Sequence, residues 1–164
     1  MSKLLTLGKV RELFDYNARN GELRWRVKPC KRMAAGVIAG HKKKEKGYRR
    51  VLIDGRLYQL HSVVWFWVYG EWPVGQIDHV NHITDDNRIE NLRLADRTQQ
   101  NANRQNTRPG RLKGAYFREW GRWQSKIVVR GRKIYLGTFD TEEEAHEAYG
   151  KAAREHFGEY ACLG

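Results

Sequence analysis

The 164-residue sequence predicts an α+β fold built from small modules: an N-terminal hairpin-rich region, a central strand–loop–strand–helix, and a C-terminal three-stranded antiparallel sheet packed on one helix. Two observations predict it. Short runs of alternating apolar and polar residues are punctuated by Asn20-Gly21, Asp54-Gly55, Trp120-Gly121 and Gly131-Arg132, the residue pairs that tight hairpins use. Apolar residues at helical spacing occur only in short segments between them. The length suits one ordinary domain or two or three very small ones with thin cores, and divisions are expected into 1–60, 61–107 and 108–164.

Thr6 is placed to cap a short helix carrying Leu7, Val10, Leu13 and Phe14. Asn20-Gly21 turns into a strand over Glu22 to Val27, where Leu23, Trp25 and Val27 alternate with charged residues. Lys42 to Gly47 reads as a solvated loop, and Tyr48 to Ile53 with Arg56 to Leu60 as a second hairpin around Asp54-Gly55. The aromatic run Ser62 to Tyr69 reads as a buried helix ending near Gly70, with a buried strand as the alternative. A strand over Ile77 to Val80, a turn-rich loop, a strand over Ile89 to Leu94 and a helix capped by Asp96 and Gln99 follow. Thr107 to Gly114 is the linker candidate.

The C-terminal meander is expected over 115–118, 122–130 and 133–136. Strict alternation puts Ala115, Phe117, Trp123, Ser125, Ile127, Val129, Ile134 and Leu136 on one face. Tyr116, Arg118, Arg122, Gln124, Lys126, Val128, Arg130, Lys133 and Tyr135 take the other, which suits phosphate. The covering helix starts at a capping box, Thr141 with Glu144, and stops at Gly158.

Lys and Arg number 31 against 19 Asp and Glu, a formal charge of +12. Such a surface attracts polyanions, of which nucleic acid is the commonest and an anionic membrane the rival. The charge is uneven: residues 108–135 carry nine basic side chains and one acidic, residues 1–56 sixteen and five, and residues 57–107 four and six. Two basic regions thus flank a near-neutral centre. No apolar run approaches a membrane span and the N-terminus lacks a signal-peptide pattern, so a cytoplasmic protein is expected. Cys30 and Cys162 form neither a disulfide framework nor a zinc knuckle.

The near-neutral centre holds Asp78-His79, with Asn91 and the amides Gln99, Gln100, Asn101 and Asn103 downstream. A metal-bound carboxylate beside an imidazole supplies a Lewis acid and a base for water, the two needs of phosphodiester hydrolysis. His61 is expected to cap or pack, and His82 to sit in the loop.

Leu60-His61-Ser62-Val63-Val64-Trp65, Ile77-Asp78-His79-Val80-Asn81 and Asn87-Arg88-Ile89-Glu90-Asn91-Leu92-Arg93-Leu94 resemble the HNH homing endonucleases, including free-standing bacteriophage enzymes. Lys113-Gly114-Ala115-Tyr116, Trp120-Gly121-Arg122-Trp123 and Tyr135-Leu136-Gly137-Thr138-Phe139 resemble the Apetala-type DNA-binding domain of plant ethylene-response factors. The first resemblance implies a ββα-metal finger over 61–107. In it His79 is the general base, Asp78 a metal ligand, and Asn91 the residue that orients the histidine ring. Asn101 is the second ligand, with Gln100 and Asn103 as rivals. Hard oxygen donors favour Mg²⁺, with Mn²⁺ able to substitute. The second resemblance implies that Lys113, Tyr116, Arg118, Trp120, Lys133 and Tyr135 meet double-stranded DNA. Arg122, Gln124, Lys126 and Arg130 share their face. Tyr116 and Val128 stand where arginine is usual, so the plant domain's base preference does not transfer. A monomer or weak homodimer with no protein partner is implied. A DNA-binding regulator without catalysis is the alternative.

Overall fold

The computed structural model describes residues 5–42, 47–106 and 109–164. Its secondary structure is mixed α and β, in small sheets of two or three strands. The chain divides into two compact units, Met1–Leu94 and Ala95–Gly164.

In the first unit, α1 (Leu7–Leu13) is capped by the Thr6 hydroxyl, which accepts from the Lys9 amide. Phe14 is not part of this helix. It opens β1 (Phe14–Asn17), which pairs antiparallel with β2 (Glu22–Trp25) in the register Phe14 to Trp25 and Tyr16 to Leu23. The strand expected to reach Val27 stops at Trp25, and Val27 is exposed. Lys42, expected in a loop, instead belongs to β3 (His41–Lys42), because it pairs with Arg49 of β4 (Arg49–Ile53) and its ammonium meets Asp85 at 2.6 Å. The rest of that basic run, residues 43–46, lies outside the described residues. β4 joins β5 (Arg56–Gln59) through Asp54 and Gly55, both at positive φ, the conformation a tight hairpin demands.

Helix α2 (Leu60–Tyr69) settles the aromatic run as helix. Gly70, at φ 79°, closes it by donating its N–H to Phe66 O. β6 (Gln76–His79) and β7 (Leu92–Ala95) form a two-stranded sheet. Residues 89–91, expected as strand, form a 3₁₀ turn, closed by the Asn91 amide bonding Arg88 O. One hydrophobic cluster runs from Val10, Phe14, Leu23 and Trp25 through Val51, Ile53, Val63 and Val64 to Ile77 and Leu92. The N-terminal hairpin and the β6–β7 segment therefore share a core, and burial of these side chains is the main force holding them together.

In the second unit, α3 (Arg97–Asn103) begins with the expected capping box of Asp96 and Gln99. Of the linker candidate, residues 107 and 108 lie outside the described residues. β8 (Ala115–Phe117), β9 (Trp123–Val129) and β10 (Arg132–Phe139) form the antiparallel meander, and α4 (Glu142–Phe157) starts at the Thr141–Glu144 capping box. The second turn uses Arg130 and Gly131, at φ 49° and 80°, rather than Gly131 and Arg132. A bulge between Tyr135 and Gly137 then breaks strict alternation and sets Thr138 opposite Gln124. Ile127, Tyr149, Ala152 and Ala153 form the core. Phe117, assigned inward, is exposed at the strand end and packs edge-on against Trp123; Ile134, also assigned inward, is 36% exposed.

Candidate active site and nucleic-acid surface

His79 ends β6 and is buried. Its Nε2 lies 3.3 Å from Oδ1 of Asn87, itself only 2% exposed. The Asn87 amide nitrogen donates to Asp85 O at 3.3 Å, which fixes the flip of the carboxamide and turns its oxygen toward the ring. Nε2 is therefore the protonated nitrogen, and Nδ1 carries the basic lone pair. Burial lowers the His79 pKa, against raising contributions from the Asn87 hydrogen bond and from Asp78, Asp86 and Asp85. The ring is thus held neutral near pH 7, the form a general base requires.

Two more rings close around it. His61, on α2, is 5.4 Å from His79 edge-to-face, and Tyr48 is 5.1 Å and 5.7 Å from His61 and His79. Burial, then the neighbouring His79, pushes His61 down to about 4, so it packs as a neutral ring. His82 adopts φ 62° in the loop and donates its N–H to His79 O.

Asn91, assigned to orient His79, does something else. Its Oδ1 accepts from the Asn81 amide at 3.0 Å, and its Nδ2 donates to Asn81 Oδ1 and Asp86 O. It is buried, and it knits the 81–86 loop to the start of β7. The carboxamide at the ring is Asn87, four residues earlier. The sequence motif contains both asparagines, and its resemblance pointed to Asn91 rather than Asn87.

Asp78 Oδ2 accepts from Nε and Nη2 of Arg93 at 3.1 and 3.0 Å, and both side chains are largely shielded. Arg93 carried no sequence assignment. A charge-assisted pair of this kind fixes the carboxylate one residue from His79. No group of three or more His, Cys, Asp or Glu able to hold a metal exists among the described residues. The Asp78 carboxylate is a hard oxygen donor, which suits a largely hydrated divalent cation and does not suit structural zinc. Asn101, with Gln100 and Asn103, lies on α3 in the second unit, where Asn101 is exposed and Asn103 buried.

On the sheet, Lys126 lies 4.4 Å over the Tyr116 ring, and Tyr135 pairs with Lys126 across the strands. Arg118 donates to Gln124 at 2.7 Å, and Arg122 meets Asp140 at 3.0 Å. Trp120, Arg130, Lys133 and Tyr135 are exposed. Lys113, assigned to DNA, is engaged elsewhere: its ammonium donates to the carbonyls of Ala102, Arg104 and Cys162 at 2.9, 2.5 and 2.8 Å. It closes the C-terminal end of α3, where free carbonyls favour a cation. Burial correspondingly lowers its pKa.

Residues 58–102 match a family model described as HNH endonuclease. Other parts of the chain are similar to plant proteins. Dehydration-responsive element-binding protein 2D of Arabidopsis thaliana is 47% identical over 53 residues, 31% of this chain and 26% of that protein. Ethylene-responsive transcription factor ERF084 of the same plant is 53% identical over 47 residues, 27% of this chain and 18% of that protein. AP2-like ethylene-responsive transcription factor PLT2 is 60% identical over 35 residues, 20% of this chain and 6% of that protein. The chain thus spans about a quarter or less of the length of these curated relatives. Both resemblances read from the sequence, to HNH endonucleases and to Apetala-type DNA-binding domains, are thus found again.

No helix among the described residues is long and apolar enough to cross a membrane.

Proposed function

We propose that this chain is a metal-dependent DNA endonuclease of the HNH homing type, directed to double-stranded DNA by the sheet of residues 115–139. The observation that carries the reading is the buried His79, its tautomer set by Asn87, beside the carboxylate of Asp78 in a segment that matches an HNH endonuclease model. DNA as partner is supported by that match, by the similarity to the plant dehydration-responsive element-binding protein, and by the basic meander.

His79 would take the proton of the attacking water at Nδ1, an atom buried in the free chain, while Nε2–H stays on Asn87, so the imidazolium forms without the ring turning. Asp78, held by Arg93, would be the carboxylate ligand of the divalent ion. Mg²⁺ is the ion expected, with Mn²⁺ able to substitute, and when bound it supplies a Lewis acid for the scissile phosphate and the leaving oxygen. The face bearing Tyr116, Arg118, Trp120, Arg122, Gln124, Lys126, Arg130, Lys133 and Tyr135 would bind the DNA.

The test is incubation of supercoiled plasmid with wild type and His79→Ala, each with Mg²⁺ and with EDTA. Nicking by wild type in Mg²⁺ alone, lost in the variant with DNA affinity retained, is the expected result. Undiminished cleavage by the variant overturns the role of His79. A second reading, a DNA-binding regulator without catalysis, is favoured by the Arg93 contacts on Asp78 Oδ2. It requires tight binding with no nicking in any metal.

A further inference from the structure

The N-terminal hairpin lies outside the matched segment 58–102, yet it touches the histidine's support directly. The Tyr16 hydroxyl, in mid-β1, donates to Asn87 O at 3.0 Å and accepts from the Ile89 amide at 2.9 Å. One hydroxyl thereby brackets Arg88 and sets the backbone from which the Asn87 carboxamide reaches His79. The Tyr16 ring is itself fixed, tilted against Trp67 with centroids 5.6 Å apart. On the same hairpin, Gly21 at φ +73° approaches so closely that a Cβ there would lie 2.4 Å from Arg88 N and 2.6 Å from Asn87 C. Backbone presses on backbone, which only glycine permits. At 2% exposure, Asn87 has little access to water that could replace the lost restraint.

We propose that Tyr16 is a positioning residue for the His79 imidazole, acting through the backbone of Asn87, so that the N-terminal hairpin is part of the active-site scaffold. The proposal rests on the nuclease reading for its kinetic consequence and on geometry alone for its structural one. A hydroxyl that donates to one peptide and accepts from the next, on either side of the Arg88 Cα, fixes both their spacing and their tilt. Tyr16→Phe keeps the ring on Trp67 and removes both bonds. Small misplacements of a reacting group lower rates steeply, so kcat for plasmid nicking should fall about tenfold or more while KM for DNA stays within about twofold.

The structural arm uses the full chain without DNA or metal. In ¹⁵N spectra of the histidine rings, His79 Nε2 should shift in Tyr16→Phe while His82 and His156 do not, and the Ile89 amide should exchange faster with solvent. A core variant, Val63→Ala, serves as the control for general loosening and should leave the His79 nitrogens in place. Unmoved His79 nitrogens in Tyr16→Phe, or the same shift in Val63→Ala, overturn the proposal. Failure of wild type to nick DNA removes the nuclease reading, and the ring spectra still decide the positioning.

Discussion

The Asn87 carboxamide meets Nε2 of His79 at 3.3 Å, while Asn91, four residues on, spends its side chain on Asn81 and Asp86. Two buried asparagines of one motif thus have separable duties, and substitution should separate them. Asn87→Ala should lower plasmid nicking by roughly 10- to 100-fold, the usual effect of removing a partner that orients a reacting or ligating group. Asn91→Ala should instead cost stability, about 2–3 kcal/mol, because it strands the Asn81 amide and the Asp86 carbonyl. Urea unfolding and single-turnover nicking on both variants check the assignment. Equal stability losses with equal rate losses would refute it.

The placement of Asp78 and His79 together was legible in the sequence. Asp78 and His79 are adjacent in the sequence, so β6 carries both whatever the rest of the chain does. The choice of Asn87 over Asn91 was not legible, because it depends on the 3₁₀ turn at 89–91, which rotates Asn91 toward the loop. Tyr16 lies 71 residues from Asn87, and no local pattern ties a strand tyrosine to a distant carbonyl. The meander was legible because alternation and turn residues are local signals. Its bulge at Tyr135/Gly137 was not, since an extra residue shows only against the partner strand. Lys113 misled for a related reason: charge composition cannot tell a lysine facing phosphate from one closing a helix end.

The histidine pair should make stability fall in mild acid. Burial pushes His61 from its ordinary 6.5 down to about 4 and lowers His79 as well. As pH falls, the unfolded chain takes up these protons before the folded one, so the contribution is complete above 6.5 and is lost as pH falls through the folded values. For His61 this amounts to about 2 kcal/mol between pH 7 and 5. Asp85 and Asp86 have lowered pKa values too, and their loss begins only below the ordinary carboxylate value of 3.8, outside that window. Urea midpoints at pH 7 and 5 should show the drop in wild type and a clearly smaller one in His61→Phe. Parallel drops would contradict it.

Lys113 and Lys133 should behave as opposites. Lys113→Met removes the donor to three carbonyls and should lower stability by about 2–3 kcal/mol while leaving the salt dependence of DNA binding unchanged. Lys133 is exposed on β10, and Lys133→Ala should leave the melting temperature alone and reduce the slope of log Kd against log salt by about 1. Binding titrations at several salt concentrations, with thermal melts, distinguish them. A reduced slope in the Lys113 variant would return that residue to the DNA face.

Gly114 leads into the first strand of the meander at φ +82°, and a Cβ there would lie 2.1 Å from Tyr149 Cγ and 2.4 Å from its Cβ. Tyr149 is 7% exposed in the core of the second unit, and burial pushes its hydroxyl up to about 12. The ring cannot withdraw without opening that core, and the backbone disfavours any L side chain. Gly114→Ala should therefore destabilise by more than about 3 kcal/mol, combining overpacking with left-handed strain. The two components part in a double-mutant cycle with Tyr149→Ala, which removes Cγ and the ring but keeps Cβ, and leaves φ unchanged. Part of the loss should be recovered in the double variant, as a coupling of about 1 kcal/mol or more. Additive losses would mean that Tyr149 does not press on Gly114.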